Sequence, residues 1–158
     1  MALRKIVEVG DECLAKVCRP VTAFNSRLHA LLDDMTETMR AANGCGLAAV
    51  QVGVLRRIVV IEVEEGKVLE LINPEIIAAK GEQEEAEGCL SVPGKWGITH
   101  RPAYVKVRAL NRKGETVEYE GEELLARAFC HELDHLEGIL FIDHAEMIDE
   151  EDLEEISE

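Results

Sequence analysis

The sequence predicts an α+β domain, with strands through the middle of the chain and a long helix after them, rather than regular βαβ units. Two features carry that expectation. Short β-branched or alternating runs fill the middle of the chain, and strong helical periodicity comes before and after them rather than between every pair of strands. With 158 residues the chain has the size of one domain. A domain of about 150 residues buries roughly 68–70% of its unfolded surface, which suffices for a core without covalent staples.

The elements follow in order. Asn25 or Ser26 can cap a helix whose apolar positions Leu28, Leu31, Leu32, Met35 and Met39 keep the three-four-seven rhythm. Asn43-Gly44 ends it, because both residues enter the left-handed region easily. Arg57 to Val63 is β-branched and too short for a typical helix, so it reads as a buried strand. Val68 to Ile77 reads as a second strand, broken at Asn73-Pro74. From Ala103 to Leu110, Val105, Val107 and Ala109 alternate with Lys106 and Arg108, and Thr116 to Tyr119 follows the turn Arg112-Lys113-Gly114. That pair reads as an antiparallel hairpin with one solvated face. Glu122 to Glu137 is the last helix, with acids in its first turn and Gly138 as its stop.

Charge narrows the function classes. There are 32 acidic against 17 basic residues, a net charge of -15. A surplus of that sign repels phosphate backbones and anionic lipid heads, so neither direct nucleic-acid binding nor membrane binding is expected. Nine of the acids lie between Asp143 and Glu158, where there is no Lys or Arg. The spacing of Met147, Ile148, Leu153 and Ile156 in that tail suits a short surface helix. Five cysteines are an odd number, far below the density of a disulfide scaffold, and suit reduced thiols. The opening MALRKIVEVGDEC lacks the apolar core of a secretory leader, and no stretch approaches the ~20 apolar residues of a membrane span. A cytoplasmic protein is expected.

The chemistry concentrates in three segments. His131-Glu132-Leu133-Asp134-His135 is an H-E-x-x-H sequence, and residues four apart on a helix share a face, so both imidazoles can reach one ion. Glu132 is rotated by about 100° and can lie beside a metal without binding it, placed to take a proton from a bound water. Leu124, Ala128, His131 and His135 share a stripe, whereas Glu123, Arg127, Asp134 and Glu137 lie elsewhere. Alone, the pattern also suits a surface helix with two histidines among acids. A catalytic site of this kind needs a third ligand and leaves the fourth position to water. Glu87-Gly88-Cys89-Leu90-Ser91-Val92-Pro93 offers Cys89, either as a thiolate or as a small buried apolar residue. Gly44-Cys45-Gly46-Leu47-Ala48-Ala49-Val50-Gln51 flanks one residue with two glycines, which permit close approach of a ligand to the backbone. Gln51 in that segment is either an amide donor for a developing oxyanion or an ordinary residue of a turn.

Taken in order, G-C-G-L-A-A-V-Q, E-G-C-L-S and H-E-L-D-H resemble the three motifs of peptide deformylase, at family-like spacing. The resemblance covers nearly all of residues 1–143, taken as the catalytic domain, with 144–158 left as an acidic tail. It implies antiparallel strands around a central metal-binding helix, and a hydrolase that removes the formyl group from N-formylmethionine of nascent polypeptides. By the same resemblance Cys89, His131 and His135 hold the metal, Fe2+ with Zn2+, Ni2+ or Co2+ as substitutes, and a metal-bound hydroxide attacks the formyl carbon. Glu132 relays the proton to the departing amine, while the Gln51 side chain and the Leu90 backbone N–H stabilise the oxyanion. The peptide pairs as an extended strand with Cys45, Gly46 and Gly88, and its methionine side chain enters a pocket lined by Leu124, Ala128, His131 and Glu87.

The acidic tail departs from members with a basic, ribosome-docking helix, so only transient proximity to the ribosome is carried over. Arg127 either points toward the pocket or pairs with Glu123 at i,i+4, Trp96 either walls the peptide groove or packs against its neighbours, and Cys13, Cys18 and Cys130 are expected as structural. Cys45 is a thiol open to oxidation in the substrate loop. His29, His100 and His144 are expected on the surface. A metallopeptidase, whose usual third ligand is His or Glu, and a closed non-enzymatic metal module are the competing readings.

Overall fold

A computed structural model describes residues 2–148. Along the chain run α1 (Ser26–Ala41), β1 (Gly46–Ala48), β2 (Ile58–Ile61), β3 (Leu69–Lys80), β4 (Gln83–Cys89), β5 (Val92–Arg101), β6 (Tyr104–Leu110), β7 (Thr116–Glu122), α2 (Glu123–Leu136) and β8 (Glu146–Ile148). The strands form two antiparallel sheets, one in the order β1-β2-β3-β6-β7 and the other β4-β5-β8. The fold is α+β, as expected, with α2 lying between the two sheets. No helix among the described residues is long and apolar enough to cross a membrane.

The apolar run of β2 has a direct physical reason. Val59 and Ile61 belong to the core around α2, with Phe129, Leu136 and Phe141. Ile58 and Val60 belong to the core beneath α1, with Leu32, Met35 and Met39. A strand buried on both faces needs an unbroken apolar sequence instead of alternation. The start of α1 is fixed by Asn25, whose side-chain oxygen accepts the Leu28 N–H at 3.2 Å. Its end is fixed by Asn43 at φ 58°, after which the Gly44 N–H bonds the Met39 carbonyl at 3.0 Å.

The structure corrects three local expectations. The break at Asn73-Pro74 is a bulge inside a continuous strand: the register of β3 against β6 slips between Ile72 and Glu75. Asn73 stands at φ 51° and exchanges two hydrogen bonds with the Val21 backbone, at 2.8 and 2.9 Å. Proline, which has no N–H, fits where the ladder is already interrupted. The second correction concerns residues 83–101, where β4 and β5 form a hairpin turned at Leu90-Ser91. Much of that hairpin faces solvent, so Gln83, Glu84, Glu85 and Glu87 hide a strand that has few apolar side chains to announce it. The third is the tail. Glu146–Ile148 pairs with Trp96–Ile98 of β5 as a strand rather than starting a helix, and the remainder of the tail lies outside the described residues. The open edge of β5 offers ready backbone partners, whereas a short helix must nucleate alone.

β6 and β7 form the expected antiparallel hairpin, with Val107 opposite Tyr119. The second strand, β7, runs three residues further than the alternation suggested and leads straight into α2 at Glu123, whose φ is 51°. Replacing Asn25 with Ala removes the α1 cap. Urea unfolding is expected to show a loss of ~1 kcal/mol with an unchanged slope.

Candidate metal centre

One turn of α2 places His131 and His135 side by side, with their Nε2 atoms 3.3 Å apart. The end of β4 brings the Cys89 sulfur to 3.4 Å from His135 Nε2, and the three donor atoms all lie within 4.8 Å of one another. A tetrahedral ion about 2.0–2.1 Å from nitrogen and 2.3 Å from sulfur separates its donors by roughly 3.3–3.6 Å, so this spacing fits a metal. A register slip between Glu87 and Cys89 re-aims the cysteine out of the regular ladder toward the helix.

The protonation state of His135 suits a metal donor. His135 is fully buried, and burial together with the neighbouring His131 pushes its pKa down to about 3, so it stands neutral. His131 turns Nδ1 toward the Glu87 carboxylate, which accepts its hydrogen and leaves Nε2 facing the centre. Glu87 also accepts from Thr99 Oγ1 at 2.6 Å and from Arg101, whose other terminal nitrogen donates to Asp134 at 2.7 Å.

Glu132 lies on the same turn, 4% exposed, with Oε2 4.0 Å from His131 Nε2. Burial pushes its pKa up to about 7. Three buried side-chain polar atoms among the described residues have no hydrogen-bond partner, and two of them, Glu132 Oε1 and His135 Nδ1, belong to this centre. Such atoms are rare in folded proteins and mark places where an ion, water or ligand belongs. Gly46 makes room for the carboxylate, since a Cβ there would stand 2.6 Å from Glu132 Oε2.

Gln51 is buried and held at both ends. Its oxygen accepts the Ala48 N–H at 2.9 Å, while its nitrogen donates to Ser91 Oγ at 3.0 Å and lies 3.7 Å from the Cys89 sulfur. The amide therefore presents N–H, not oxygen, to the centre.

A cleft of about 520 Å³ opens over these groups. Cys45, Gly46, Gly88 and Leu90 line its strand side, and Leu124 and Ala128 its helix side. Among the described residues β1 and β4 are both edge strands, each paired on one side only. Every residue expected at the site thus borders the centre or the cleft, but Glu87 does so with its carboxylate already engaged by His131, Thr99 and Arg101. Trp96 packs over Gly88, where a Cβ would come within 2.9 Å of its ring, and lines the cleft as well.

Arg127 bonds Gln83 at 2.8 Å, and no ion pair with Glu123 forms among the described residues. His29 is half-buried, tied to the Arg112 carbonyl at 2.8 Å, whereas His100 and His144 are exposed. All five cysteines are free, with Cys18 and Cys130 buried and Cys45 exposed. The sequence reading gave no role to Thr99, Arg101 or Ser91. The roles of Thr99 and Arg101 depend on strand pairing that the acidic hairpin conceals, although Glu87, Ser91, His131 and Asp134, which they join or neighbour, all stand inside the motifs.

A thiolate and two imidazoles around one point, with an unpartnered carboxylate beside them and a peptide-sized cleft above, define a metal-dependent hydrolase. A family model described as polypeptide deformylase matches residues 3–151. The chain is 56% identical over 159 residues to a peptide deformylase of Thermoanaerobacter pseudethanolicus, covering 100% of this chain and 99% of that one. It is 59% identical over 155 residues to a peptide deformylase of Acetivibrio thermocellus, covering 98% and 91%. The fold is similar to the crystal structure of peptide deformylase from Thermotoga maritima, with a TM-score of 0.86 and 41% identity over 89% of this chain and 96% of that one. The chain belongs to the polypeptide deformylase family, whose members remove the formyl group from formyl-Met peptides in a metal-dependent hydrolysis, and this is its activity.

Gly46→Ala tests how closely the backbone fits Glu132. The variant is expected to fold and keep its metal, yet to lose about 10²-fold in kcat/KM on a formyl-Met peptide, because the added methyl group displaces the carboxylate.

Proposed function

We propose that Cys89, His131 and His135 hold one Fe2+ ion, with Zn2+, Ni2+ or Co2+ able to take its place, and that the surrounding residues carry the hydrolysis of N-formylmethionyl ends of nascent polypeptides. When bound, the ion supplies a Lewis acid and lowers the pKa of a coordinated water toward about 7. Glu132 takes the proton from the attacking water and passes it to the amine as the carbon–nitrogen bond breaks, giving formate and a free N-terminus. What supports this role most directly is its buried Oε1, which stands close to the three donors and has no hydrogen-bond partner among the described residues. The Gln51 amide, turned N–H inward by Ala48 and Ser91, donates to the developing oxyanion together with the Leu90 backbone N–H. One such donor is worth roughly 10²–10³ in rate.

The peptide lies extended between the free edges of β1 and β4, using backbone groups at Cys45, Gly46 and Gly88. Its methionine side chain enters beside Leu124 and Ala128. Glu87 forms part of the wall and acts through His131, since its oxygens are committed elsewhere. Nascent chains place the work in the cytoplasm, close to the ribosome. A net charge of -15 makes that proximity transient, because ribosomal RNA repels it.

Protein prepared anaerobically with iron is expected to release formate from formyl-Met-Ala-Ser, and a chelated sample to release none. Glu132→Gln should keep the metal and lose about 10²–10⁴-fold in kcat. Cys89→Ser should lose the metal itself, because a neutral hydroxyl is a poorer ligand than a thiolate. Cleavage of the peptide bond without formate would assign the site to a peptidase.

A further inference from the structure

Beside the metal donors lies a buried network that the hydrolysis itself does not call for. Glu87 on β4 and Arg101 at the end of β5 are 8% and 7% exposed. Arg101 donates to both oxygens of Glu87, at 2.8 and 3.3 Å, and through its remaining terminal nitrogen to Asp134 at 2.7 Å. Glu87 in turn accepts from His131 Nδ1. Asp134 and His131 stand one helical turn apart on α2, so the path His131–Glu87–Arg101–Asp134 leaves the helix, crosses two strands and returns to it. The loop is closed at both ends.

Stability alone does not explain such a loop. A buried ion pair gains little over apolar packing of the same volume, because desolvation offsets its Coulomb attraction. Its distinctive property is geometry: a guanidinium fork fixes a carboxylate in plane and direction, which a single charge cannot do. The carboxylate fixed here receives the Nδ1 hydrogen of a metal donor. Without a fixed acceptor the imidazole can take the other tautomer or turn over, and either change removes the Nε2 lone pair from the ion. The same loop ties β4 to α2, and β4 ends at Cys89.

We propose that Arg101 and Asp134 are positioning residues for the metal: acting through Glu87, they hold His131, and with it the β4 end that carries Cys89, in the arrangement the ion requires. This rests on the assignment of Cys89, His131 and His135 as the ligands.

The test uses the full chain loaded with Co2+, whose visible spectrum reports coordination and whose loss to a chelator reports affinity, with thermal unfolding followed on the same samples. Arg101→Lys keeps the charge and loses the fork, and Asp134→Asn keeps the shape and loses the charge. Both are expected to weaken Co2+ retention by roughly 10–100-fold and to shift the visible bands. The lowered kcat on formyl-Met-Ala-Ser should come with an unchanged KM. Arg101→Met, which breaks both bridges, should lose the most metal. If it does not fold, Asp134→Asn decides, since the Asp134 side chain is 29% exposed and tolerates substitution more readily. Folded Lys and Asn variants with parental cobalt affinity and spectrum would overturn the positioning role and leave the ligand assignment standing. A parent chain that binds no cobalt would overturn both.

Discussion

The meeting of one thiolate with two imidazoles from a distant part of the chain is the constraint that the rest of the structure serves. No local preference brings Cys89 to His131 and His135; it depends on the end of β4 being pressed against α2. Phe129 and Leu136 seat α2 in the core it shares with the five-stranded sheet. On the histidine side of the same helix, Asp134 and His131 pair with Arg101 and Glu87 of the smaller sheet, next to Val92 in the shared apolar core. Helix position is therefore set by burial, and donor direction by charge.

That division has an energetic consequence. Glu87, Arg101, Glu132, His131 and His135 are all buried around one centre. Each would be costly alone, and Glu87 and Arg101 are tolerable because they satisfy one another. Glu132 is the exception, a carboxyl with one oxygen left unpaired. Buried groups left short of partners cluster where a protein does chemistry, since the same desolvation that makes them unfavourable makes them responsive to a nearby cation. Gly46 and Gly88 belong to this balance: each lets a large neighbour, the Glu132 carboxylate or the Trp96 ring, approach closer than any side chain would permit.

Much of this was legible in the sequence because the signals were local. The stripe of Leu28, Leu31, Leu32, Met35 and Met39 marked α1, the β-branched run marked β2, and the four-residue spacing of His131 and His135 marked a shared helix face. The metal donors and the cleft residues were legible as three short motifs. What escaped was carried by pairing between segments. The β4–β5 hairpin presents acids to solvent and has little periodicity to read. With it were hidden Arg101, Thr99 and the engagement of Glu87, which looked from the sequence like a pocket wall. Residues 146–148 mislead for a related reason, since their spacing suits a helix but the open edge of β5 recruits them as a strand. Asn73-Pro74 signals an interruption truly, yet only the register distinguishes a bulge from a break.

X-ray absorption at the metal edge of the zinc-loaded protein tests the central claim most directly. The account predicts one sulfur at about 2.3 Å, two imidazole nitrogens at about 2.0–2.1 Å and one light atom from solvent. A first shell without sulfur, or one closed by a fourth protein side chain, would contradict it.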